Sequence, residues 1–207
     1  LIWPCGADVD LLRLHLKDTR SGSVPALLAP PVRSQPQLTV FGESITQGLS
    51  ATHVLSTYPV RMGALRDWRV VNLGFAGRTT QPTDAWLAAG STACKGGRVS
   101  SPDMLLLAIG SNDFHLVNDV HTRVDKFEDR YEEWLDRFRI LQPTIPILCL
   151  TPLPRGDECE ITERSMEQYR ERIRAVIEER ADRRIYLFEG RELVALPPAP
   201  GDPLFDA

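Results

Sequence analysis

Leu38-Thr39-Val40-Phe41-Gly42-Glu43-Ser44-Ile45-Thr46-Gln47-Gly48 is the stretch whose reading decides the fold. A short apolar run ends at a glycine, a serine follows, and a second glycine closes the turn. The run is too short and too continuously apolar for an amphipathic helix and reads as a buried strand. Ligands of open α/β sheets bind at the carboxyl ends of the strands. Ser44 therefore stands where a nucleophile would be delivered on a tight turn, if a base and an oxyanion site exist elsewhere. The plainer reading of the same residue is a serine capping the helix that follows.

Outward from this stretch, strands and helices alternate. The pattern predicts a helix over Thr57 to Arg66, a strand from Trp68 to Leu73, and a helix near Gln81 to Ala89. Met104 to Ile109 is a continuous apolar strand running into Gly110-Ser111-Asn112-Asp113. In the longest helix, Val120, Val124, Phe127, Tyr131, Trp134, Phe138 and Leu141 recur at three- and four-residue steps, one apolar stripe backed by an acidic, solvated face. Pro143 and Pro146 end it and lead to a strand from Ile147 to Thr151. Ser165-Met166-Glu167-Gln168 fits a capping box. It opens a helix whose stripe is Met166, Tyr169, Ile173 and Val176, and Ile185 to Phe188 is a fifth strand. Short, non-alternating strands separated by helices imply a doubly wound parallel sheet of about five strands from residue 37 to 207.

Residues 1–36 read differently. From Leu12 to Lys17 apolar and polar residues alternate, the period of a half-buried strand, which turns His15 to the solvent side. One strand cannot bury its own face and needs a partner sheet. Ser21 to Pro36, with four prolines, is a linker.

Bulk numbers exclude several classes. The 207 residues allow one ordinary domain, and 43% apolar with 25% charged residues is a globular composition. A net charge of −4 without a basic stripe excludes a nucleic-acid footprint. No apolar run approaches the roughly 18 residues that cross a bilayer. Cys5, Cys94, Cys149 and Cys159 form no CxxC pair, so they read as free thiols and not as metal ligands or a disulfide framework. The chain opens at Leu1 without a basic-then-apolar leader, which leaves a signal peptide open and favours a soluble, cytoplasmic protein over a secreted one.

Three turns at successive strand ends carry the candidate chemistry: Ser44, Gly77 and Asn112. Acyl transfer needs a nucleophilic oxygen and donors aimed where the tetrahedral oxyanion forms, and glycine N–H groups and an Asn amide can supply those donors. Taken singly, each glycine is a turn residue and the Asn-Asp pair a loop feature. Gly42-Glu43-Ser44 with Gly48, Asn72-Leu73-Gly74-Phe75-Ala76-Gly77, and Gly110-Ser111-Asn112-Asp113 resemble the first three sequence blocks of the SGNH, or GDSL, hydrolases, in family order. The resemblance implies a flavodoxin-like sheet, an esterase without metal or cofactor, and a Ser-His-Asp triad. It makes Ser44 the nucleophile, and the Ser44 and Gly77 backbone N–H groups with the Asn112 side chain the oxyanion hole. Glu43 departs from the family's Asp at a position that is not the nucleophile. Thr46 stands where the G-x-S-x-G elbow of α/β-hydrolases has its second glycine, which separates the two patterns.

The family's fourth block is Asp-x-x-His. Leu204-Phe205-Asp206-Ala207 resembles its opening, with Asp206 as the acid and the histidine two residues past Ala207; a solvated acidic residue is the alternative for Asp206. The expectation is that the 207 residues alone are nearly inactive, because a serine without a base stays protonated and weakly nucleophilic. His115, three residues after Asn112, is the alternative base, while His53 and His121 read as loop and helix-start residues. Residues 1–36 resemble the tail of the β-sandwich that precedes the catalytic domain in some SGNH esterases, carbohydrate deacetylases among them. That resemblance implies a small acyl group, such as acetyl, on a carbohydrate or other small-molecule ester. A non-catalytic binding module that keeps this fold is the alternative reading. A nucleotide or flavin binder is disfavoured, because Glu43 would set negative charge against a phosphate.

Overall fold

The computed structural model describes residues 35–90, 101–115, 123–155 and 165–194. Within them five parallel strands run in the order β2-β1-β3-β4-β5: β1 Gln37–Gly42, β2 Arg69–Gly74, β3 Met104–Ala108, β4 Ile147–Leu150 and β5 Ile185–Phe188. The helices are α1 Ser44–Gln47, α2 Tyr58–Arg66, α3 Ala85–Ala88, α4 Ser111–His115, α5 Val124–Leu141, α6 Met166–Arg180 and α7 Gly190–Leu193. The architecture is the doubly wound sheet expected from the alternating pattern, with the flavodoxin-like strand order that the resemblance implies. The N-terminal strand and linker, Val120, His121, Cys5, Cys94, Cys159 and Asp206 lie outside the described residues.

Strand periodicity sorts the core into two layers. Leu38, Val40, Leu106 and Leu150 point to one face, where Tyr58 and Met62 of α2 pack against them. Phe41, Leu105, Leu107, Ile147, Cys149 and Ile185 point to the other, under α3, α5 and α6. All six residues of β1 are buried, as a strand paired on both edges and covered on both faces must be. The outer strands are less covered. β2 is nowhere fully buried, and in β5 Tyr186 and Phe188 are exposed while Ile185 is buried, so both edges depart from the uniformly buried strands expected.

The thicker layer is aromatic. Trp134 and Phe138 stack at 5.7 Å, Phe41 meets Trp134 at 5.3 Å, and Phe127 sits 5.1 Å from Tyr169 of α6. The α5 stripe holds from Val124 to Phe138 but not at Leu141, which is 43% exposed where the helix runs past the sheet. Ser165 caps α6 as expected: its Oγ accepts from the Gln168 N–H at 3.4 Å, and its own N–H donates to Gln168 Oε1 at 3.0 Å. The helix expected over Gln81 to Ala89 is shorter. Pro82 opens a 3₁₀ turn, Pro82–Asp84, and α3 occupies only Ala85–Ala88. Cys149 is a free, buried thiol whose pKa burial pushes up to about 12, which leaves it inert.

Trp134 is wholly buried at the centre of this layer. Trp134→Ala removes the ring that both Phe41 and Phe138 lean on and should cost about 3–5 kcal/mol. Urea unfolding should show a lowered midpoint with little change in slope.

Candidate active site

The strand order gathers three of the candidate segments at one edge. β1 lies between β2 and β3, and the register pairs Gly42 with Gly74 on one side and with Ala108 on the other. The turns carrying Ser44, Gly77 and Asn112 therefore leave the sheet side by side at its carboxyl edge. Ser44 is the first residue of α1. Glu43, and not Ser44, occupies the cap position, so Ser44 is not the helix cap that was the plainer reading. Gly42 is required by crowding: a Cβ there would fall 2.0 Å from Thr46 Oγ1 and 2.9 Å from the Ala108 carbonyl.

Hydrogen bonds fix these turns to one another. The Asn72 amide donates to the Thr46 carbonyl at 2.8 Å, and the Ala76 N–H donates to Gln47 Oε1 at 2.8 Å, which ties the loop after β2 to α1. Asn112 Nδ2 donates to the Arg78 carbonyl at 2.9 Å. A carbonyl can only accept, so this contact sets the amide's orientation and leaves its second N–H for another acceptor. Gly77 thus sits between two anchored neighbours, Ala76 and Arg78. Its φ of +76° favours glycine, and among the described residues beyond its chain neighbours no atom lies within 4 Å of where a Cβ would be.

Two buried carboxyl groups lie behind the turns. Asp113 accepts from the Thr80 N–H at 3.0 and 3.1 Å and from Thr80 Oγ1 at 2.9 Å. Glu43 accepts from the Gly110 N–H at 2.7 Å and from the Asn112 N–H at 3.2–3.3 Å. Burial pushes the Glu43 carboxyl up to about 8; the amides of Asn112, Gly110 and Ser111 oppose the shift, and nearby Asp113 adds to it. Burial also raises Asp113, to about 6, against the pull of Thr80 and Arg130.

Ser44 and Asn112 line one cavity of about 670 Å³, together with Tyr58, Ile109, Leu150 and Leu153. Gly77 is not part of that lining. His53 is exposed, and its backbone pairs with Ser56 in the 3₁₀ turn Val54–Ser56. Asp206 lies outside the described residues. Sequence reasoning missed Gln47 and Asn72, whose roles depend on which loop faces them, and it gave Glu43 no role. Among the described residues no cluster of three His, Cys, Asp or Glu side chains is placed to hold a metal ion.

The model of the GDSL-like lipase/acylhydrolase family matches residues 40–204. The chain belongs to that family. A search of curated proteins finds no match. Solved structures of family-like folds do match. The salicylyl-acyltransferase SsfX3 of a tetracycline biosynthetic pathway is 18% identical at a TM-score of 0.64, over 77% of this chain but only 44% of its own. AlinE4, an SGNH-hydrolase family esterase, is 18% identical at a TM-score of 0.61, over 81% of this chain and 82% of its own. A family two carbohydrate esterase from Clostridium thermocellum, in complex with cellohexaose, is 18% identical at 0.59, over 79% of this chain and 56% of its own. At these identities the likeness is one of fold. In this chain the residue before the serine is Glu43, whose side chain spans to the β3 turn.

The two raised carboxyl groups predict how stability depends on pH. Each holds a proton in the folded state that the unfolded chain releases, so each contribution is present at low pH and is lost as pH rises. For Asp113 the loss falls between about 4 and 6, and for Glu43 it extends up to about 8. Melting temperature should therefore decline from about pH 4 to about pH 8, the part above about pH 6 through Glu43. Glu43→Gln should flatten that part of the curve, as differential scanning fluorimetry across a buffer series can check.

Proposed function

We propose that this GDSL-type chain is a serine esterase that hydrolyses a small acyl ester through an acyl-enzyme on Ser44. The observation that carries the reading is the side-by-side placement of the Ser44, Gly77 and Asn112 turns, with the Asn112 amide oriented by the Arg78 carbonyl. In this reading Ser44 Oγ attacks the ester carbonyl carbon as its proton passes to a base. The carbonyl oxygen becomes an oxyanion held by the Ser44 and Gly77 N–H groups and the free N–H of Asn112. The tetrahedral centre collapses, the C–O bond to the alcohol breaks, and the alcohol leaves with the proton. Water then attacks the acyl-enzyme by the same steps and returns the acid and free Ser44.

The acid of the triad is assigned to Asp206, and the base to a histidine in the block that Asp206 opens. An acetyl group on a carbohydrate is the inferred substrate class, supported by the fold likeness to a carbohydrate esterase and by the resemblance of residues 1–36 to such esterases.

A fluorophosphonate probe should label the full-length protein at Ser44, and Ser44→Ala should abolish both labelling and ester turnover. Full-length protein that is folded, unlabelled and inactive on acetyl esters would favour the non-catalytic alternative. Asn112→Ala should lower kcat by about 10²–10³ with a smaller change in KM, because the oxyanion exists only in the transition state.

A further inference from the structure

Glu43 is 6% exposed and immediately precedes the nucleophile in the chain. Its carboxylate crosses from the end of β1 to the turn after β3, where, among the described residues, backbone amides and no cation hydrogen-bond to it. Oε1 takes the Gly110 N–H at 2.7 Å, and both oxygens take the Asn112 N–H, at 3.3 and 3.2 Å. The charged and titratable groups that face it are Asp113 of α4, Tyr58 of α2 and Arg78 of the loop after β2. None of them substitutes for the amides. Asp113 is bonded to Thr80 and the Tyr58 hydroxyl to Thr46 Oγ1, while Arg78 lies 3.5 Å from Asp84 with its guanidinium over the Phe41 ring.

Asn112 is consequently held at two points. Its backbone N–H is fixed by Glu43 and its side-chain amide by the Arg78 carbonyl. The first anchor hangs from the residue that carries Ser44 into α1. We propose that Glu43 is a positioning residue for the esterase site, its carboxylate fixing the distance between the Ser44 backbone and the Asn112 oxyanion donor. This rests on the reading of Ser44 as the nucleophile. The side chain's length carries both oxygens to the turn, where Oε1 meets the two amides and Oε2 adds a second acceptor at Asn112. Aspartate is one methylene shorter and falls short of the turn unless the backbone shifts. Glutamine keeps the length but turns one acceptor into a donor beside the Asn112 N–H.

The two variants separate positioning from folding. A carboxyl this buried weakens the fold as it ionises, so Glu43→Gln should melt at or above the wild-type temperature at pH 9. A residue with a merely structural role would lose activity only in step with stability. The experiment measures kcat and KM on a p-nitrophenyl ester for full-length wild type, Glu43→Gln and Glu43→Asp. Amide hydrogen exchange at Gly110 and Asn112 is followed by NMR in the same proteins. The expected result is a fall in kcat of about tenfold or more in both variants, KM within about twofold, undiminished melting of Glu43→Gln, and faster exchange at the two amides. Unchanged kcat in a folded Glu43→Gln overturns the proposal, as does a fall in kcat that only tracks lost stability. Wild-type protein without ester turnover or fluorophosphonate labelling overturns the Ser44 reading itself, and the proposal with it. That failure is seen before either variant is measured.

Discussion

The carboxyl edge of the sheet depends on one constraint: strands that end together leave loop amides that must find acceptors or be left buried and unpaired. Here the acceptors are side chains placed on the neighbouring loop. Glu43 takes the amides of the β3 turn, Asp113 takes the Thr80 amide, and Gln47 takes the Ala76 amide. Each bond runs from one strand end to another, so satisfying the backbone also sets the spacing of the turns. An unmade buried hydrogen bond costs about 1–3 kcal/mol, which makes the spacing set by Glu43 and Asp113 hard to relax, while the Ala76 bond is exposed. The same bonds thus hold Ser44 and the Asn112 amide in register.

The β4 and β5 ends are organised by a different chemistry. Arg170 of α6 is wholly buried and donates to the Pro152 and Leu153 carbonyls at 2.9 and 3.1 Å. Arg174 grips both oxygens of Glu189, at 2.7 and 2.9 Å, and Glu189 Oε2 accepts from Thr151 Oγ1. The Gly190 N–H in turn donates to Thr151 Oγ1 at 2.8 Å. Charged side chains from one helix therefore fix the loops that follow two strands. A guanidinium suits this work because its several donors point in fixed directions and can serve two carbonyls at once. Carboxylates reading amides tie the β1 and β3 turns, and guanidinium groups reading carbonyls and a carboxylate tie those after β4 and β5.

The fold was legible because each layer repeats a simple period. The α5 stripe from Phe127 to Phe138 and the all-apolar β3 could hardly be read otherwise, and the capping box at Ser165 marked the start of α6. Leu141 misled because a helix can outrun the surface it packs on, and periodicity carries no information about where a sheet ends. Ser44, Gly77 and Asn112 could be singled out as candidates because glycines and an Asn at strand ends are visible in one dimension, and the strand order sets their turns side by side. Glu43 and Gln47 were not, because their partners lie 67 and 29 residues away and only the strand order brings them close. Arg170 was hidden for another reason: an arginine on a helix reads as solvated face unless two carbonyls are known to lie beneath it.

That a carboxyl group, and not an amide, occupies position 43 is informative about what the site is built to do. An isolated buried carboxylate is a poor choice for stability, and its raised pKa shows that burial outweighs the amides that favour its charge. A glutamine would occupy nearly the same volume without that burden. What glutamine cannot offer is acceptor capacity at both ends of the group, which the Gly110 and Asn112 amides use. The group that accepts at both ends sits where it ties the Asn112 turn to the end of β1. Conflict between local stability and local order of this kind belongs at a functional site, where the alignment of donors matters more than the stability lost in holding them.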